Sequence, residues 1–396
     1  VDLFDKCSRF DRADELRRLG LYPYFQPISE TFTESVVIDG RKLIMIGSNN
    51  YLGLTHHPNV VAAATEAVRR YGSGCTGSRF LNGTLDLHVE LENRLAKFMN
   101  KEACVTFSTG FQVNLGVIAT LVGKNDVVLC DRENHASIFD GCRLSFGELY
   151  KYRHNDMEDL ERQLQRVPHG AGKLVVTDGV FSMKGDLVDL PSLVRVAKKY
   201  GARIMLDDAH GVGVLGENGR GTAEHFGLES EIDLIVGTFS KSFASLGGFA
   251  VANEDVIDYV KHTGRSIIFS ASSPPSAVAA ALAALDIIET EPERRERLWQ
   301  NVSRMQAKFV ELGYDVGQSR SAIIPIRIGG DLETFQFWRR LHDEGVFTNP
   351  VVPPAVPQDE GMIRTSYMAT HTFAELDRVA DVFARLGRAA GLLKVA

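Results

Sequence analysis

Between about residue 45 and residue 285, short runs rich in Val, Ile, Leu and Thr stop at a Gly, Asp or Ser, and helical apolar spacings follow them. Strands that return after each helix run side by side in one direction, so the alternation predicts an α/β fold with a largely parallel sheet wrapped by helices. The clearest runs are 103–107, 126–130, 173–177, 203–206, 233–236 and 248–252. Residues 1–44 read as an N-terminal arm with a short charged helix and a small strand, and 45–285 as the large domain. Residues 286–396 read as a smaller C-terminal α/β domain with strands at 322–328 and 362–367. Its last helix opens with the capping box Thr372-Phe373-Ala374-Glu375 and keeps Leu376, Val379, Phe383 and Leu386 on one face.

Composition narrows the partners. The 44 Lys and Arg against 51 Asp and Glu leave a net charge of −7, the wrong sign for gripping nucleic acid. Apolar residues at 44% and charged residues at 24% are globular proportions, which excludes disordered and coiled-coil classes. Five cysteines without a Cys-x-x-Cys spacing encode neither a disulfide framework nor a zinc site, and fit a reducing cytoplasm. The greasiest stretch, 277–288, carries Asp286 and is shorter than the ~18–20 residues of a membrane span. The N-terminal residues are dense in charge and lack the apolar core of a secretory leader. No basic amphipathic helix supports stable membrane insertion.

In open α/β sheets ligands gather at the carboxyl ends of the strands, and the reactive residues of this chain fall there. The apolar run Arg203-Ile204-Met205-Leu206 gives way to Asp207-Asp208-Ala209-His210. A second run from Asp233 ends in Gly237-Thr238-Phe239-Ser240-Lys241. A lysine and a carboxylate at two such ends are what pyridoxal 5′-phosphate requires: an amine to hold its aldehyde and an acid to keep its ring nitrogen protonated. Lys241 alone reads as readily as a solvated surface group; the hydroxyls of Thr238 and Ser240 beside it shift the reading. Ser108-Thr109-Gly110-Phe111, before a helical pattern starting near Gln112, adds a turn suited to phosphate.

Further segments extend the pattern: Ser48-Asn49-Asn50-Tyr51-Leu52-Gly53-Leu54, the glycine-rich stretch 72–84, and His88-Val89-Glu90-Leu91-Glu92. Asn134-His135-Ala136-Ser137, Asp178-Gly179-Val180-Phe181-Ser182-Met183, and Ile363-Arg364 follow in order. Together they resemble the α-oxoamine synthases, fold-type I pyridoxal phosphate enzymes that condense an amino acid with an acyl-CoA and release carbon dioxide. The resemblance implies a large domain with a mostly parallel seven-stranded sheet, and a homodimer with active sites at the subunit interface. It makes Lys241 the lysine that carries the cofactor, Asp207 the partner of the pyridine nitrogen, and His135 the imidazole stacked on the ring. His210 and Ser182 are implied near the phenolic oxygen. Thr238, Ser240, Gly110 and Phe111 are implied at the phosphate, with Ser270 reaching it from the neighbouring subunit. Arg364 corresponds to the clamp for the amino-acid carboxylate, a task that suits the bidentate guanidinium, with Asn50 and Ser78 also at the substrate. Asp208 and His88 read mainly as structural.

Within the family, the stretches 72–84, 134–141 and 237–242 are most similar to the soluble bacterial serine palmitoyltransferases. This implies L-serine and palmitoyl-CoA as substrates and 3-ketodihydrosphingosine as product. One departure is Val352, where some of these enzymes place a second arginine. Glycine C-acetyltransferase, 8-amino-7-oxononanoate synthase and 5-aminolevulinate synthase activities stay open. A non-catalytic partner subunit is the alternative of another class; such subunits lack the lysine, and Lys241 is present.

Overall fold

The computed structural model describes residues 1–393, which divide into two compact units, 49–298 and 1–48 together with the described residues from 299 onward. The larger unit is built on a seven-stranded sheet. Its order is Ala103–Phe107, Gly248–Ala252, Leu234–Thr238, Arg203–Asp207, Gly172–Asp178, Asp126–Asp131 and Glu148–Tyr152. Gly248–Ala252 runs antiparallel to both of its neighbours and the remaining pairs are parallel. The central strands read as unbroken apolar runs because both faces are covered; Val128, Leu129 and Cys130 have no exposed surface. Helix Gly110–Leu121 packs Val113, Val117 and Ile118 into the same core as Val105, Met205 and Val236. Each such side chain contributes roughly 1.5–3 kcal/mol by leaving water.

Four of the six anticipated strands extend or shift by one or two residues, two match, and Glu148–Tyr152 was not anticipated. It is an edge strand, partly exposed and interrupted by Lys151, so its apolar pattern is weak, as edge strands often are. The run 277–288 lies in helix Pro275–Thr290, where Val278 to Leu285 are all buried. This helix is apolar on all sides and packs on Pro58–Tyr71. The domain boundary expected at 285 therefore falls inside a core helix of the larger unit.

In the smaller unit, Glu30–Thr31, Ser35–Ile38 and Arg41–Met45 form an antiparallel sheet that Val346–Phe347 extends in parallel. Residues 1–44 thus belong with the C-terminal segment and do not stand apart as an arm, because the hydrogen bonds that complete their sheet come from 346–347. A second sheet places Gly361–Ser366 between Ile323–Gly329 and Asn349–Val351. Helix Phe373–Ala389 starts with the expected reciprocal cap, Thr372 Oγ1 accepting the Glu375 N–H at 3.2 Å, and buries Leu376, Val379, Phe383 and Leu386. Val352 is buried beside Leu16, Leu21 and Phe335, an apolar setting in which an arginine would need a new partner.

Candidate active site

A cavity of about 290 Å³ opens at the carboxyl ends of the central strands. Lys241, Asp207, His135, His210, Ser182, Thr238, Ser240, Gly110 and Phe111 all line it, brought together from five loops. Lys241 sits on the turn after Leu234–Thr238. Phe239, Phe243 and Phe249 pack together beneath that turn, and Ala244 closes it with an N–H to the Lys241 carbonyl at 2.9 Å. Ala244 adopts φ +50°, a left-handed conformation that costs an alanine about 1–3 kcal/mol and that the aromatic anchor must hold.

Asp207 ends its strand with both oxygens engaged: Oδ2 accepts Asn114 Nδ2 at 2.7 Å and Oδ1 accepts the Ala209 N–H at 3.1 Å. Asn114 is one helical turn into Gly110–Leu121 and also donates to Ser137 Oγ at 2.9 Å, while its own Oδ1 is buried without a partner. Thr109 caps that helix, its Oγ1 accepting the Gln112 N–H at 3.2 Å, which leaves the first N–H groups at the cavity edge. A Cβ on Gly110 would lie 2.6 Å from Thr238 Oγ1, so only glycine lets the helix start meet the Thr238 hydroxyl this closely. Thr238 Oγ1 is 2.9 Å from Ser240 Oγ and donates to the Gly247 carbonyl at 3.0 Å.

His135 caps helix Ala136–Leu144. The Ser137 N–H donates to its Nδ1 at 3.3 Å, and the Phe111 ring meets it edge-on at 6.3 Å between centroids. Burial holds this imidazole below its ordinary pKa, Asp207 opposing and Lys241 reinforcing, so the ring is neutral with its proton on Nε2. Its backbone N–H donates to Asp178 Oδ2 at 2.8 Å. Asp178 stands in register with Asp207 on the neighbouring strand. Burial first, and the Asp207 charge second, push the Asp178 carboxyl well above the usual range. His210 receives Tyr51 from the opposite side, with OH to Nδ1 at 2.7 Å.

The remaining expected residues lie elsewhere. Ser270 accepts Gln112 Nε2 at 2.9 Å and lines a separate small pocket with Arg79, His88 and Ser273. Ser78 bridges to Ala271 with its Oγ buried and without a partner. Asn50 organises its own turn, accepting the Leu54 N–H at 3.0 Å and donating to Thr55 Oγ1 at 2.9 Å. Arg364 is buried in the smaller unit on strand Gly361–Ser366, opposite Pro325 and Asn349. His88 is held near pKa 4 by burial and caps Leu85, and Asp208 accepts both the N–H and the hydroxyl of Thr222 at 2.6 Å, as structural groups do. Asn114, Ser137 and Asp178 were not assigned to the site from sequence. Ser137 and Asp178 lie in segments that carried the family resemblance, and Asn114 stood out only as an amide in a mostly apolar helix.

The residues present fit pyridoxal 5′-phosphate. The cavity carries an amine, a carboxylate fixed by two donors, a neutral imidazole with a flat face, and hydroxyls beside a helix N-terminus. Asn114 Oδ1 is a buried acceptor still without a donor. Among the described residues no helix is long and apolar enough to cross a membrane, and no cluster of ligating side chains could hold a metal ion.

Residues 41–383 match the family Aminotransferase class I and II. A serine palmitoyltransferase from Sphingobacterium spiritivorum is 52% identical over 384 residues, 97% of this chain and 96% of that one. An 8-amino-7-oxononanoate synthase from Thermoanaerobacter pseudethanolicus is 41% identical over 379 residues, 96% of each chain. Among solved structures, a variant serine palmitoyltransferase from S. paucimobilis with bound PLP-myriocin aldimine superposes with a TM-score of 0.97 at 39% identity, covering 99% of this chain and 100% of that one.

Proposed function

The chain belongs to the Aminotransferase class I and II family, in its α-oxoamine synthase branch, and from that premise we propose that it condenses L-serine with palmitoyl-CoA. The products are 3-ketodihydrosphingosine, CoA and carbon dioxide, the first step of sphingolipid synthesis. The observation that carries the reading is the pairing of Lys241 and Asp207 across one cavity in a chain 52% identical to a serine palmitoyltransferase.

When bound, pyridoxal 5′-phosphate supplies an aldehyde for an amine and a ring that takes up the electron pair left on the substrate carbon. Asp207, fixed by Asn114 and Ala209, holds a proton on the ring nitrogen. The helix start at Gly110 and Phe111, with Thr238 and Ser240, receives the phosphate. His135 would lay an uncharged ring against the cofactor, and His210 and Ser182, which line the same cavity, would serve its phenolic oxygen. The Lys241 amine would hold the cofactor's aldehyde carbon and would take the proton from the serine Cα. Arg364 grips the serine carboxylate with its fork of donors, with Asn50 and Ser78 as further substrate contacts.

The protein works as a homodimer in the cytoplasm. Exposed Leu81 and Phe269, 78% and 76% accessible in segments next to Ser78 and Ser270, support a second copy as the covering surface. Five cysteines without a disulfide support a reducing compartment. The test is release of carbon dioxide and CoA from palmitoyl-CoA with L-serine, glycine and L-alanine offered separately, beside an acetyl-CoA control. Serine-dependent release with the long chain is expected. Release only with glycine or alanine, or only with the short chain, would move the chain to another activity of the family.

A further inference from the structure

His154 takes no part in the cavity, yet it is among the most heavily bonded histidines of the larger unit. Its Nδ1 lies 3.1 Å from Asp131 Oδ1 and its Nε2 lies 2.8 Å from Asp186 Oδ2, with Glu133 Oε2 at 3.9 Å. A carboxylate only accepts, so an imidazole facing one at each nitrogen carries both protons. Burial opposes that charge, but the hydrogen bonds to Asp131 and Asp186 outweigh it and push the ring up to about 10.

The two carboxylates belong to different loops. Asp131 closes the strand from which the chain turns to His135. Asp186 lies in the hairpin that the Val180 to Leu187 bridge closes, with the Phe181 N–H on the Asp186 carbonyl at 3.0 Å. Ser182, on the cavity wall, is at the tip of this hairpin. Beside His154, Asn155 adopts φ +52° and adds three bonds of 2.8 Å: its N–H to Asp131 Oδ2, its Nδ2 to the Leu187 carbonyl, and its Oδ1 from the Asp189 N–H. The Phe181 ring stands edge-on to His154 at 4.4 Å between centroids, and Lys184 reaches Glu133 at 2.8 Å. Asp186 Oδ1 is buried without a partner, so His154 is the charged group on which this carboxylate depends.

We infer that His154 is a positioning residue for the cofactor: a strut, bonded to a carboxylate at each ring nitrogen, that ties the Ser182 hairpin to the strand end preceding His135. It acts through Ser182 and touches neither cofactor nor substrate. The inference rests on the pyridoxal phosphate reading above.

The experiment titrates apoprotein with pyridoxal 5′-phosphate, read by absorbance and intrinsic fluorescence, for the unmodified chain, His154→Gln, Asp186→Asn and Ser182→Ala. His154→Gln and Asp186→Asn are expected to weaken cofactor binding about tenfold, the scale of one charge-assisted hydrogen bond, with kcat at saturating cofactor little changed. Adding His154→Gln to Ser182→Ala is expected to weaken binding no further. Nitrogen-15 NMR of the unmodified apoprotein at about pH 8.5, two units above an ordinary histidine, is expected to show both His154 nitrogens protonated. Should His154→Gln fail to fold, Asp186→Asn and the NMR signal decide. Unchanged affinity in the folded variants, or a neutral His154 at that pH, would overturn the inference. An unmodified chain that binds no cofactor would instead overturn the functional reading.

Discussion

His135 and His154 stand on two sides of one wall, the first lining the cavity and the second behind it, and they carry opposite charge states. In both, the surrounding protein penalises the charged form, and that alone would favour a neutral ring. His135 faces backbone and hydroxyl donors at a helix start, and stays uncharged. His154 faces two carboxylates, and is charged throughout the neutral range. The difference teaches that the same residue type is held uncharged on the cavity side of the wall and charged on the far side by the groups that face it.

Breaking the cavity side costs the most. Asp207→Asn keeps the Asn114 contact in shape but cannot hold a ring proton, and turnover with serine should fall on the order of 10²–10⁴-fold, as for other positioned proton-holding groups. Steady-state kcat checks it, and near-normal turnover would remove Asp207 from its role. Behind the wall, Asn155→Ala deletes the two side-chain bonds to Leu187 and Asp189 and should destabilise the larger unit by about 1–3 kcal/mol. Urea denaturation measures this, and an unchanged midpoint would mean that the hairpin needs no clamp.

The pH dependence separates the two histidines by sign. The folded pKa of His154 lies above its unfolded value, so its stabilisation is complete below about pH 6.5 and is lost as pH rises toward about 10. The folded pKa of His135 is depressed, so its contribution is present above about pH 6.5 and is lost as pH falls. Denaturation across pH should therefore show an alkaline decline that His154→Gln removes; a decline untouched by that substitution would assign it elsewhere. The smallest effect belongs to the other end of the sheet. Arg203 pairs with Asp233 at 2.6 Å but its side chain is 78% exposed, and Arg203→Ala should change stability by no more than about 0.5 kcal/mol. A larger loss by the same denaturation assay would show that the amino ends of the strands are more strongly tied than their exposure implies.

Much of the larger unit was readable from local pattern. Strands such as 103–107 and 248–252 were bounded correctly because strands covered on both faces are continuous apolar runs closed by turn residues, and the Thr372 cap was visible because its two partners are three positions apart. Strand Glu148–Tyr152 was not readable, since an edge strand needs no continuous run. The grouping of residues 1–44 with the C-terminal segment was also hidden, because it depends on a pairing between 41–45 and 346–347. Nine of the expected site residues share the cavity, while Ser270, Ser78, Asn50 and Arg364 do not line it.

By itself the sequence determined the α/β class and the strand ends that carry Lys241 and Asp207, both consequences of short-range periodicity and of which residue types a turn accepts. Tertiary structure alone decided which groups are charged and what holds them. Asn114 meets Asp207 across 93 positions, and His154 meets Asp131 and Asp186 across 23 and 32. A side chain's protonation follows from the dielectric and the charges within a few ångströms of it, and those neighbours exist only once the chain has folded.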